Sequence, residues 1–295
     1  MRKKGKEGFK LMATIKITGD STIDLSPELL ERYQVETIPL YINMGEESLR
    51  DGVSVVPEDI YAYFARTKTV PKTAAPSVQD YIDFFQKQRA QYDAVIHFNI
   101  SAEFSSAHQN ACIAAQEVGN VYPVDSRNLS TGTALLVLDA CEMAAAGKEP
   151  EEIVEAMKEE TDRVEASFII NTLTYLHKGG RCSGVAALGA NVLKLRPCIL
   201  VENGKMVVGK KYRGAYNNCM ANYIRDKLAG RNDILPNRIF ITHTKCDSQC
   251  IDAAYRAVRE SGIPFEEILE TTAGCTITNH CGEGTLGVLF VRKRK

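Results

Sequence analysis

Neither sign of charge predominates in this 295-residue chain: 36 lysines and arginines stand against 37 aspartates and glutamates, a formal net charge of −1. Without a basic field to attract a phosphate polymer, the composition argues against a nucleic-acid binder. Long apolar runs are missing too. The longest, Thr133 to Ala140 and Ala186 to Leu195, fall well short of a membrane span. The basic opening Met1-Arg2-Lys3-Lys4-Gly5-Lys6 is followed by no apolar stretch and does not read as a secretory signal. Met12 stands just before the first strand-like run, so residues 1–11 read as an upstream extension or a cloning scar.

Several chemical signatures are also missing. The nine cysteines are odd in number, scattered and mostly set in apolar runs, which suits free thiols in a reducing, cytoplasmic setting better than a disulfide framework. Cys246 and Cys250, with His243 nearby, lack the second ligand pair of a metal site, and no metal is expected. No dinucleotide glycine fingerprint follows the first strand, and no phosphate loop ends in Gly-Lys-Ser/Thr. There is no Gly-x-Ser-x-Gly elbow, so nucleophilic hydrolysis has little support. No cofactor is expected.

What is present is an ordinary globular composition, 44% hydrophobic and 25% charged, on a chain long enough for two domains. Short β-branched runs alternate with helical patterns, the sign of α/β architecture. Ile15-Lys16-Ile17 reads as a first strand, and Ser26-Pro27-Glu28 as the cap and first turn of a helix. Val35 to Ile42 is an extended run, Pro57 to Phe64 a helix, Thr73 to Ser77 a loop, and Ser77 the cap of another helix. Ala94 to Ile100 and Val121 to Val124 are strands, and a further helix opens near Ser130, read as its cap. Beyond the Gly147–Pro150 turn come strands at Ser167–Ile170 and Arg238–Thr242, and an apolar helix from Val185 to Leu195. Glu202-Asn203-Gly204-Lys205 is a hairpin signal. A strand at Phe265–Leu269, a glycine-rich segment around His280 and a terminal strand from Thr285 close the chain. The expected domains are 12–165 and 166–295.

Candidate chemistry gathers at a few places. Hydroxyls recur just beyond strand ends, at Ser21, Thr22, Ser101, Ser105 and Ser126, where open α/β sheets bind ligands and helix N-termini favour anions. Each taken singly is more economically a turn or cap residue. Lys178-Gly179-Gly180-Arg181 lets backbone approach a ligand closely with cations alongside, and a surface turn explains it equally well. His280 sits where it could face a carboxylate or move a proton, or simply satisfy a turn.

Assembled in order, these residues resemble the DegV family, bacterial fatty-acid-binding proteins that include the carrier subunits of fatty acid kinase. The likeness runs from about Ala13 to Lys293. It rests on Asp20-Ser21-Thr22, Asp51-Gly52, Thr73 to Ser77, Ile100-Ser101 through Ser105 to Ala111, and Val124-Asp125-Ser126 to Gly132. Tyr175-Leu176-x-Lys178-Gly179-Gly180-Arg181-x-Ser183 is the most specific motif, and His280-x-Gly282-x-Gly284-x-Leu286-Gly287 completes the series. Departures occur at Ala74-Ala75, Ala102, Ser106-Ala107-His108, Arg196 and Glu283.

The resemblance implies two α/β domains with a long-chain fatty acid in the cleft between them. It also implies a non-enzymatic carrier that presents the bound acid to a kinase-like subunit for acyl-phosphate formation, supplying lipid synthesis with transient contact at a membrane surface. By family pattern Thr73 and Ser105 hydrogen-bond the carboxylate, Ser101 could share the role of Ser105, and His280 lies close by. Arg181 and Arg213 resemble arginines that serve phosphorylation by the partner. Burying a sixteen-carbon tail grosses about 12 kcal/mol at roughly 0.8 kcal/mol per methylene, before ordering costs. The helix from Val185 to Leu195, with Ala186, Leu188, Val192 and Leu193, is a candidate tunnel wall or ordinary core. Two other readings stay open: a stand-alone acyl or phosphoryl transferase or hydrolase using His280 as base, and a lipid sensor without a kinase.

Overall fold

The structure, a computed structural model, describes residues 13–182, 184 and 195–294. The first half runs β1 (Ile15–Asp20), α1 (Pro27–Arg32), β2 (Glu36–Ile38), β3 (Tyr41–Met44), β4 (Glu47–Arg50), α2 (Pro57–Thr67), β5 (Lys72–Ala74), α3 (Val78–Arg89), β6 (Ala94–Asn99), α4 (Ala107–Val118), β7 (Val121–Asp125), α5 (Thr131–Ala145) and α6 (Pro150–Thr161). The second runs β8 (Val164–Ile169), α7 (Thr174–Gly179), β9 (Leu195–Glu202), β10 (Lys205–Arg213), α8 (Tyr216–Leu228), β11 (Ile234–His243), α9 (Ser248–Glu260), β12 (Glu267–Thr272), α10 (Cys275–Cys281) and β13 (Leu286–Arg292).

Strands β2-β1-β6-β7 form a parallel sheet. All six positions of β6 are buried, as a strand covered on both faces requires. A six-stranded sheet follows in the order β10-β9-β8-β13-β11-β12, parallel only between β11 and β12. The fold is therefore α/β with parallel and mixed sheets. β8 pairs with β13 from Val164 onward, so the six-stranded sheet begins just ahead of the expected 165/166 division. Between the sheets lies α5. Ala134, Leu135, Leu136, Val137, Leu138 and Ala140 are all fully buried, because the run Ala134–Leu138 is apolar on every side of the helix, which packs against both sheets. Among the described residues, no helix is long and apolar enough to cross a membrane.

The structure revises several local expectations. The extended run Val35–Ile42 divides at Pro39, which cannot donate to a ladder: β2 joins the parallel sheet, while β3 leaves it for a separate antiparallel sheet β4-β3-β5. The segment expected to be a loop around Thr73 begins with β5, whose Thr73 pairs with Ile42. Ser26 and Ser77 do cap their helices, accepting from Leu29 N and Asp80 N. Ser130 does not: its φ is +52° and its hydroxyl donates to Asp24 instead. Asn203 and Gly204, at φ +50° and +79°, turn the β9–β10 hairpin as expected. The β12 strand lies slightly later than Phe265–Leu269. Of the expected apolar helix, residues 185–194 lie outside the described residues, and Leu195 opens β9.

The largest revision is α10. Its sequence, Cys-Thr-Ile-Thr-Asn-His-Cys, is poor in helix formers and reads as irregular. It is helical because distant carboxylates hold its start. Asp51 accepts from Cys275 N at 2.8 Å, Thr276 N at 3.0 Å and Thr276 Oγ1 at 2.7 Å, and Asp24 accepts from Gly274 N at 2.8 Å. These bonds satisfy the free amides of the first turn from a separate part of the fold.

Candidate ligand site

Asp20 ends β1, the strand beside which the connections of the parallel sheet reverse direction. Its buried carboxylate accepts from Tyr81 OH at 2.7 Å and Ile100 N at 3.0 Å, and from Asn99 Nδ2 at 3.2 Å. These bonds fix the chain as it leaves β6. Beyond them, where ligands of open α/β sheets bind, lies a cavity of about 340 Å³. Thr73, Ser105, Arg181 and His280 all line it. They come from β5, the β6–α4 loop, the residues after α7, and α10. The rest of its wall is largely apolar: Leu40, Ile100, Phe104, Leu129, Met206 and Ile277. Leu129, Ile277 and Cys281 also border a narrow, mostly apolar cleft leading toward Phe168 and Leu289.

Thr73 Oγ1 and His280 Nε2 are 2.9 Å apart. Asn279, beside His280, donates to Pro71 O at 2.9 Å, so α10 holds the start of β5 and the imidazole together. Nδ1 of His280 is buried without a hydrogen-bond partner. Removal from water pushes the imidazole down to a pKa of about 4, and the charge of Arg181 adds to the effect, so the ring is neutral at pH 7. Gly180 takes φ +67° at the end of α7, turning Arg181 to the rim, where Nη1 donates to Gly179 O at 2.9 Å. Gly282, at φ +74°, leaves room for the Tyr175 ring, since a β-carbon there would overlap it. Gly180 and Gly282 thus stand where the backbone angle or a neighbouring ring excludes a side chain.

Ser105 Oγ accepts from Ala107 N at 3.2 Å, which leaves its own proton available to a ligand. Ser101, proposed from sequence to share that role, does not line the cavity. It is fully buried and its hydroxyl donates to Gly204 O at 2.8 Å, so it ties the β6–α4 loop to the β9–β10 hairpin. Other strand-end hydroxyls also serve the fold: Ser21 donates to Asp51 at 3.1 Å, and Ser126 pairs with Thr133 at 2.9 Å. Arg213 is exposed at the far end of β10, seven residues from Met206 and on the order of 20 Å along the strand. It does not line the cavity.

Sequence reasoning missed the supporting carboxylates Asp24 and Asp51, although both fall within or beside motifs it singled out. Asp24 is buried, and loss of solvation raises its carboxyl to about 8, while Ser130 and Gly274 pull the other way. A larger cleft of about 930 Å³, between α2 and the start of α9, is lined by none of Thr73, Ser101, Ser105, Arg181, Arg213 and His280.

A parallel and a mixed sheet, with a cavity lined by hydroxyls, a neutral imidazole and apolar side chains, define an α/β protein of the kind that carries a small-ligand pocket. The chain belongs to the DegV family: that family's model, described as "Uncharacterised protein, DegV family", matches residues 14–293. A DegV domain-containing protein of Caldanaerobacter subterraneus is 29% identical, the match covering 96% of this chain and 100% of the relative. A protein of Thermotoga maritima named fatty acid-binding protein is 29% identical over 92% of this chain and 96% of its own. The solved structure of a DegV family protein from Thermus thermophilus, described by its fatty acid binding, superposes with a TM-score of 0.84 at 28% identity, covering 95% of this chain and 99% of that one.

Proposed function

We propose that this chain binds a long-chain fatty acid in the cavity between its two sheets, with Thr73 and Ser105 donating to the carboxylate, and presents that carboxylate to a partner kinase for acyl-phosphate formation. The chain itself is a carrier rather than an enzyme, working in the cytoplasm from two domains, 12–165 and 166–295, with transient contact at a membrane surface. One observation carries the reading: Thr73, Ser105, Arg181 and His280, from four separated segments, meet at one cavity whose remaining wall is mostly apolar. Its volume falls within the range of small-ligand sites. The names of the relatives at 28–29% identity point the same way.

The chemistry is consistent at atomic level. A carboxylate accepts hydrogen bonds and donates none. Thr73 can donate to it only if His280 Nε2 carries the proton and donates to Thr73 Oγ1, so an anionic ligand selects that tautomer. Neutral hydroxyl donors satisfy the buried carboxylate yet leave an oxygen free for phosphoryl transfer, whereas a bidentate arginine clamp would blunt it. Arg181 at the rim and exposed Arg213 are assigned to the partner and its phosphoryl group. His280 as the base of a hydrolase has less support, because Nε2 is engaged by Thr73 and Nδ1 lies against Gly179.

The test is to load the protein with oleate, add purified fatty acid kinase and ATP, and trap acyl phosphate as the hydroxamate. Hydroxamate should form, and Arg213→Ala should reduce it while leaving oleate affinity unchanged. Oleate binding without any hydroxamate would leave a lipid-binding protein with no kinase role.

A further inference from the structure

Outside the cavity, a thiol and an imidazole on α4 stand in line with a carboxamide at the end of β6. Cys112 Sγ is 3.5 Å from His108 Nε2, and His108 Nδ1 is 3.2 Å from Asn99 Oδ1. The order of donors along this line is fixed from below. Asp20 is ringed by donors, and Asn99 Nδ2 reaches both its oxygens, at 3.2 and 3.3 Å, as well as Tyr81 OH at 3.1 Å. A carboxylate accepts only, so the amide nitrogen of Asn99 must face Asp20 and its oxygen must face His108. That oxygen in turn requires the proton of the neutral imidazole on Nδ1. Nε2 is left as a bare acceptor pointing at the thiol.

We propose that Cys112 is a nucleophilic thiol served by His108 as general base and Asn99 as positioning residue, and that it is a site of covalent modification by small carbon electrophiles. The thiol and imidazole are partly open to solvent, so a small reagent can reach them. In the step, Sγ forms a bond to the electrophilic carbon, the bond from that carbon to its leaving group breaks, and the leaving group departs with the electron pair. The thiol proton passes to Nε2 of His108 and then to water. This constellation of acceptor, base and nucleophile is recognised by its geometry rather than by its place in a sequence.

The surroundings favour general-base assistance over a preformed ion pair. Burial, reinforced by the negative charge of Asp125, raises the Cys112 thiol, so little thiolate exists near neutrality. Burial also lowers His108, with His97 acting in the same direction and Asp125 and Asp20 opposing, so the imidazole is unprotonated and free to take a proton at pH 7.

The experiment is alkylation of the full-length protein by iodoacetamide, followed at Cys112 by peptide mass mapping. Between pH 6.5 and 7.5 the rate at Cys112 should change by less than about twofold, whereas an unassisted thiol gains tenfold per pH unit in this range. His108→Gln should slow Cys112 by about a hundredfold, the lower end of general-base effects, and restore the tenfold-per-unit slope. A tenfold slope in the unaltered protein overturns the proposal, and because it needs no substitution it decides the matter even if the variant fails to fold. An unchanged rate in a folded His108→Gln variant overturns it as well.

Discussion

Gly179 lies against the imidazole of His280 so closely that a β-carbon on the glycine would overlap Nδ1. Gly179 belongs to the most specific motif of the chain and His280 to the motif that completes the series, and their contact sets the ring that faces Thr73. Gly179→Ala should push His280 from its place, break the 2.9 Å approach to Thr73 and weaken fatty-acid binding by at least about tenfold, or roughly 1.4 kcal/mol. Titration calorimetry with oleate would measure this. An alanine variant with unaltered affinity would show that the imidazole has no part in holding the head group.

Removing both proposed carboxylate donors should cost more. Thr73→Ala with Ser105→Ala strands a buried anion, and the expected loss is about 3–6 kcal/mol of binding, from two hydrogen bonds to a charged group at about 1.5–3 kcal/mol each. Apolar probes without a carboxylate should bind the variant and the parent equally. Equal loss for both kinds of ligand would mean that the substitutions had damaged the cavity walls instead.

Asp51 joins Ser21, near the end of β1, to the first turn of α10 through four hydrogen bonds. Asp51→Ala leaves two backbone amides of α10 without acceptors, and folding stability should fall by about 2–3 kcal/mol, more than for an ordinary exposed cap. Urea denaturation gives the comparison directly. A change under about 0.5 kcal/mol would show that α10 is held by packing alone.

Two buried groups give opposite pH dependence. Folding raises the Asp24 carboxyl from 3.8 to about 8. Its contribution to stability is therefore complete below about pH 4 and is lost progressively as pH rises to about 8. Folding lowers His280 from 6.5 to about 4, so its contribution is present above about pH 6.5 and is lost as pH falls toward 4. Asp24→Asn should gain on the parent protein as pH rises between 4.5 and 7.5, by on the order of 1 kcal/mol per unit. His280→Gln should gain as pH falls from 6.5 to 4.5. Parallel stability curves for parent and variant would contradict either assignment.

Much of the fold was legible because its signals are local. Ser26-Pro27 and Ser77 close their own helices, Asn203-Gly204 turns its own hairpin, and the apolar run at Thr133–Ala140 announces the helix buried between the sheets. What escaped depends on distant partners. α10 is helical through Asp51 and Asp24, more than 220 residues away in the chain, and nothing within Cys275–Cys281 shows this. Ser101 and Ser105 look alike in sequence, yet one faces the β9–β10 hairpin and the other the cavity. The glycines of Lys178–Arg181 and Gly282 were visible as a motif, but their cause, room for His280 and Tyr175, appears only when the segments meet.

The most direct test of the account is native mass spectrometry of the protein purified from bacteria, followed by addition of palmitate and oleate. The account predicts a co-purified mass in the range of long-chain fatty acids, replaced on adding either acid and reduced in the Thr73→Ala, Ser105→Ala variant. A clean unliganded mass that takes up neither acid would contradict it.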